Sequence, residues 1–265
     1  MTASSKPTIV IIHGGWHVPA SYAKLRTALR AAGYEVHVPR LPSTHAARPP
    51  TADLATDTSF IRSYVEGLVE PGRTVVAVMH SYGGQVGTGA LHGLGVAGGG
   101  GGGVSLLVYV CAFAMLEGKS MVDKVREFGH EDLLPLAFDF ADDDSCVHRD
   151  PRTLLVGGGA EEEKGKEKEM EEDTDAYVAT FVRWNGRCMY QGIAGPCAWR
   201  EIPAAYVYTA ADMTVPLDYQ KSMVAAMEAE GREVRTVELP TGHCPNFTAP
   251  KGIVDAINSW VEGQG

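Results

Sequence analysis

The chain has 265 residues, 45% hydrophobic and 21% charged, with 33 acidic against 23 basic side chains and a formal net charge of −10. No apolar run approaches the roughly 20 residues of a membrane span, and a chain this acidic lacks the concentrated basic face that nucleic acid requires. Five cysteines (Cys111, Cys146, Cys188, Cys197 and Cys244) are odd in number and form no C-x-x-C pair, so neither a disulfide framework nor a zinc site is expected.

The opening MTASSKP is too short and polar for a secretory signal, which predicts a cytoplasmic protein. PTIVIIHGG then begins as a run of β-branched residues and ends in glycines, the pattern of a buried parallel strand over residues 8–12 that opens into a loop. From 19 to 32, Tyr22, Leu25, Leu29 and Ala32 recur at helical spacing, with Pro19 in the first turn and Gly33 as a stop. A short strand at 35–38, a proline-containing loop at 42–50 and a helix over 53–69 follow. Residues 73–79 predict a strand, 84–96 a helix and 104–111 another apolar strand. Such alternation demands crossover connections and so a mostly parallel sheet covered by helices, an α/β doubly wound fold.

The glycine run 98–103 lacks the Lys-Ser/Thr of a phosphate-binding loop and follows a helix, so it reads as a connector. After Ala114 the rhythm breaks. Helical pieces at 119–128 and 175–184, the acidic triplet 142–144 and a charged block at 161–173 predict a helical cap inserted in the sheet. The block reads as a solvated face or loop. Alternation resumes with a strand at 204–209, a helix at 217–229, a strand at 233–239 and a helix at 250–261. The expected organisation is a core of 1–113 and 204–265 with a cap of 114–203.

The stretch VMHSYGG places Ser81 where a strand turns into a helix, outside the carboxyl ends of the strands, where open α/β sheets bind ligands. A serine hydroxyl is a weak nucleophile and needs a base, which needs a third group to hold its tautomer. Asp212, just after the strand AAYVYT, and His243, just after EVRTVEL, sit at the same sheet edge and are the candidates.

The segments IIHGGWH, VMHSYGGQ, YTAADMTVP and TGHCPNF together resemble the α/β-hydrolase-fold serine hydrolases, in particular small capped esterases related to plant methylesterases and to metabolic hydrolases of fungi and bacteria. The order Ser, Asp, His suits that fold. The resemblance implies an oxyanion hole from the backbone N–H groups of Gly15 and Tyr82, with Trp16, His17 and Met79 as candidate pocket residues. One departure is Met79, which stands where the elbow motif G-x-S-x-G carries its first glycine.

His13 and His80 read as structural, Cys244 as a bystander thiol, and Asp53, Asp57, Asp123 and the 142–144 triplet as solvated surface. The expected activity is hydrolysis of a small carboxylic ester, lactone or thioester through an acyl-enzyme, with no cofactor, metal, nucleic acid or membrane partner. An acyltransferase that uses an internal hydroxyl in place of water shares every one of these residues. Hydroxynitrile lyases resemble the chain in fold, but Cys244 and the pair Gly14 and Gly15 stand where they carry a lysine and a threonine. A non-catalytic receptor on the same fold is the reading from another class. The oligomeric state stays open, a homodimer included.

Overall fold

The structure, a computed structural model, describes residues 6–96, 101–157 and 167–262. In chain order the first half gives β1 (Thr8–Ile12), α1 (Ala23–Ala31), β2 (Val36–His37), α2 (Leu54–Val69), β3 (Thr74–His80), α3 (Tyr82–Ala90) and β4 (Gly103–Val110). The segment that follows carries α4 (Met121–Glu127), α5 (Leu134–Ala137), β5 (Phe138–Phe140), β6 (Ser145–His148), α6 (Glu167–Val178) and β7 (Trp184–Asn185). The chain then returns with β8 (Ala204–Thr209), α7 (Leu217–Ala229), β9 (Val234–Leu239), α8 (Pro245–Thr248) and α9 (Pro250–Glu262).

The main sheet has six parallel strands in the order β2-β1-β3-β4-β8-β9. Side chains alternate between its faces, as the two-residue repeat of a strand requires. Ile9, Ile11, Val76, Val78, Val108 and Val207 meet α1 and α9, while Val10, Ile12, Ala77, Met79, Leu107 and Tyr206 meet α2, α3 and α7. Both faces are apolar because both are covered, which is why these strands read as continuous hydrophobic runs. The chain reverses its winding between β1 and β3, so the loops after these two strands lie side by side at the crevice where such sheets take ligands.

Helical pieces are present between β4 and β8, but the predicted helical cap also holds a three-stranded antiparallel sheet, β5-β6-β7. The acidic triplet is its first turn: Asp144 has φ 65°, and Asp143 accepts a hydrogen bond from the Ser145 N–H at 3.1 Å. The helix expected over 175–184 instead ends at Val178. The Thr180 hydroxyl takes the Tyr177 carbonyl at 2.7 Å, and the Val182 N–H turns to the Trp16 carbonyl at 2.8 Å. Likewise α3 stops at Ala90 short of the expected 96, because Gly93 adopts φ 80° and the following residues pair with Val104. The first half of the glycine run, 98–100, and the first part of the charged block, 161–166, lie outside the described residues. No helix among those described is long and apolar enough to cross a membrane.

Candidate active site

Ser81 stands between β3 and α3 with φ 54° and ψ −124°, a conformation that L residues avoid. The turn is this sharp because α3 starts directly against β1. A Cβ on Gly83 would lie 2.0 Å from the Ile12 carbonyl oxygen, so only glycine fits. Met79, where the motif has its first glycine, is fully buried and points into the core beneath α3. The room comes from the other side: a Cβ on Gly87 would sit 2.3 Å from the Met79 sulfur, so a glycine one turn along the helix replaces the missing one. Met79 therefore packs the core and does not line a pocket, correcting that expectation.

The structure brings Ser81, His243 and Asp212 together from three strand ends. Ser81 Oγ is 2.9 Å from His243 Nε2, and His243 Nδ1 is 2.8 Å from Asp212 Oδ2. The rest of the Asp212 carboxylate is accounted for. Oδ1 accepts the Thr214 and Val215 N–H groups at 2.8 and 2.7 Å, and Oδ2 also accepts the Thr209 hydroxyl at 2.8 Å. With its backbone-bonded oxygen fixed, the other must face the imidazole. An Nδ1–H held by this carboxylate leaves Nε2 as the acceptor for the Ser81 hydroxyl, the arrangement that makes a serine nucleophilic.

A second chain of hydrogen bonds fixes the backbone under these side chains. The Gly14 N–H donates to the Tyr22 hydroxyl at 3.0 Å, which donates to His80 Nδ1 at 2.6 Å, and His80 Nε2–H donates to the His243 carbonyl at 2.8 Å. It ties the loop after β1, the residue before Ser81 and the loop after β9 into one unit. The Cys111 thiol donates to the same carbonyl at 3.3 Å. His80, Cys111 and His243 thus lie close enough to hold a metal ion, but their donor atoms are engaged in these bonds.

Gly15 lies in the loop after β1 and Tyr82 opens α3, and neither backbone N–H donates to an acceptor among the described residues. The Trp184 ring lies against Gly15 and packs on Tyr82 with centroids 4.7 Å apart. Trp16 stacks on Phe138 and meets His148 and Trp184 edge-on, and its indole N–H donates to the Cys146 carbonyl. His17 is buried, with Nδ1 on the Gly15 carbonyl at 2.7 Å and Nε2 near the Tyr177 hydroxyl at 3.1 Å. It holds the Gly15 loop instead of facing a pocket.

Burial holds the surrounding histidines neutral. It lowers His13 to about 4 and His17 to about 3, and brings His80 well below its ordinary value, with the His243 charge as a further cause. His13 is structural as expected, bonded to the Gly14 carbonyl and the Leu41 N–H. Cys244 is fully buried and its thiol is pushed up to about 12, in keeping with a bystander.

Asp57 is not the solvated residue the sequence suggested. It is fully buried and accepts the Ser43 N–H, the Ser43 hydroxyl at 2.5 Å and the Tyr82 hydroxyl at 2.8 Å, while the Trp184 indole N–H donates to Ser43. Burial raises its carboxyl above the usual range and these bonds partly offset that. The signal for it was the helical register, since Asp57 shares a face of α2 with Leu54, Ile61 and Val65.

Fold and site geometry agree with one class, and the chain belongs to the alpha/beta hydrolase family, which it matches over residues 9–256. It is 30% identical over 256 residues to a probable hydrolase of Phoma sp., covering 96% of this chain and 97% of that protein. In fold it is similar to a methylesterase from Arabidopsis, with a TM-score of 0.73 at 18% identity, covering 97% of this chain and 99% of that one. It is also similar to polyneuridine aldehyde esterase, with a TM-score of 0.74 at 16% identity, covering 96% and 98%. The chain is thus an enzyme of the alpha/beta hydrolase type.

Proposed function

We propose that this hydrolase is a serine esterase that cleaves a small carboxylic ester, lactone or thioester through an acyl-enzyme on Ser81. The observation that carries the reading is the unbroken hydrogen-bonded series from Ser81 Oγ through His243 to Asp212. His243 Nε2 takes the hydroxyl proton as Ser81 Oγ adds to the substrate carbonyl carbon. Asp212 stabilises the imidazolium without taking its proton. The Gly15 and Tyr82 N–H groups receive the oxyanion, and each such donor typically stabilises the transition state by about 3 kcal/mol. Collapse breaks the bond to the leaving oxygen or sulfur, which His243 protonates. Water, deprotonated by His243, then adds to the acyl-enzyme, and Ser81 leaves with the proton returned.

The burial of Ser81, only 5% exposed beneath the 114–203 segment, favours a second reading in which a hydroxyl of the acyl group itself replaces water. The test is labelling with a fluorophosphonate together with turnover of p-nitrophenyl acetate. A serine esterase gives one adduct, on Ser81, and both signals vanish in Ser81→Ala. An adduct elsewhere, or turnover that survives the substitution, rules the reading out. Hydroxy acid against lactone among the products of a hydroxy-ester separates water from the internal hydroxyl.

A further inference from the structure

Outside the reacting residues, His148 stands at the end of β6. Its ring packs edge-on against Trp16 at 4.4 Å and Phe138 at 4.7 Å between centroids. Both ring nitrogens are shielded from solvent, and neither has a hydrogen-bond partner among the described residues. Leaving a buried polar group unpaired costs about 1–3 kcal/mol, so folded chains seldom do so without a use for it.

The ring borders a cavity of about 90 Å³ whose other walls include Leu134, Phe138, Leu154, Pro216 and Tyr219. The polar side chains there have partners already: the Thr214 hydroxyl donates to the Leu154 carbonyl, and His130 Nδ1 bonds the Tyr219 hydroxyl. Met213 and Thr214, also in the wall, directly follow Asp212, and the Thr214 N–H donates to its carboxylate. Through Phe138 and His148 the opposite wall rests on Trp16, next to Gly15. The cavity therefore lies between the loop that carries Asp212 and the loop that carries Gly15.

Resting on the esterase reading, we infer that this cavity is a substrate subsite in which His148 hydrogen-bonds an uncharged hydroxyl on a short apolar acyl chain. A neutral imidazole offers one donor and one acceptor, and a hydroxyl matches either. A neutral ring gives an anion no compensating charge, and burial above all keeps this ring neutral. The volume is smaller than the roughly 150 Å³ of an apolar cavity that takes benzene, so it suits a short chain of methylenes ending in a hydroxyl. No sequence pattern marks His148, because a lone histidine in a strand has no partner at a telling spacing.

The test compares kcat/KM for p-nitrophenyl 6-hydroxyhexanoate with that for p-nitrophenyl hexanoate. The wild type should favour the hydroxy ester by about tenfold, the value of one satisfied hydrogen bond. His148→Phe should bring the ratio to one or below, and His148→Asn, which keeps a donor and an acceptor, should recover part of it. A wild-type ratio of one or less overturns the subsite, even if neither variant folds, and so does a His148→Phe enzyme that keeps the wild-type ratio. Calorimetry of methyl 6-hydroxyhexanoate and methyl hexanoate on Ser81→Ala gives the same ratio as Kd and needs no turnover. Failure of the esterase reading would show separately, as wild-type protein without a fluorophosphonate adduct on Ser81.

Discussion

The loops at the carboxyl edge of the main sheet and the 114–203 segment above them meet around Ser81 but are built on opposite principles. Each edge loop follows a strand of the main sheet, and the polar atoms of Asp212, His243 and His80 are bonded to one another, to the Ser81, Tyr22 and Thr209 hydroxyls, or to backbone. The upper segment meets them largely through the rings of Trp184, Phe138 and Tyr177, and holds in His148 a polar group with no partner among the described residues. A fully bonded network has one geometry and so suits a bond-making step that any acyl group shares. On the proposed reading, a surface of rings with one open polar group would discriminate among acyl groups instead.

This contrast can be broken most sharply at Ser81. Replacing it by alanine should remove ester turnover by about 10⁶-fold, the scale seen when a nucleophilic serine is lost in subtilisin, with Tm little changed. Substantial activity in the purified variant would mean that the edge loops do not carry the reaction. Asp212→Asn comes next. Its remaining carbonyl oxygen can keep the Thr214 and Val215 amides, but the wrong imidazole tautomer should lower kcat by up to about 10⁴-fold. A change of less than tenfold would assign another group to orient His243.

The seam between the two regions is tested by Asp57→Ala, which strands Ser43 and Tyr82 in the interior. Denaturant melts should show a loss of about 1–3 kcal/mol, and unchanged stability would deny the Ser43–Asp57–Tyr82 network a structural part. Acid should act on both regions at once. In the unfolded chain His13, His17 and His148 take up protons as the pH falls through about 6.5, whereas folded they stay neutral down to about 4, 3 and 3. The unfolded state thus binds more protons over that window, so stability should decline from pH 6.5 toward pH 4. A urea midpoint that stays flat from pH 7 to 5 would contradict it. The smallest effect is expected at Arg48→Ala, which removes an exposed ion pair to Asp143 across the seam. Tm should move by less than about 1 °C, and a larger shift would make the rim part of the fold's support.

The sheet and the positions of Ser81 and Asp212 were legible because buried parallel strands are unbroken apolar runs and each of the two stands just past one, whereas His243 follows the alternating edge strand β9. The register of those strands placed the residues on one edge before any distance was known. The upper segment was less legible, though the alternation Phe138-Asp139-Phe140 before an acidic turn is a hairpin pattern. What hid it was the brevity of the strands, of two to four residues. Asp57 was misread because charge was weighed over its place on the apolar face of α2. The compensation of Met79 by Gly87 depends on a contact between a strand and a helix, which no local pattern encodes.

The proposed nucleophile and its base are 162 residues apart in the chain. At about 5–20 residues per second on the ribosome, the base emerges about 8–30 s after the serine. For that interval a growing chain can close β1, β3 and β4 around the elbow and still hold a serine with no proton acceptor. Esterase activity then begins only with the last strand of the sheet, so partly synthesised copies would be inert toward the esters of the cell.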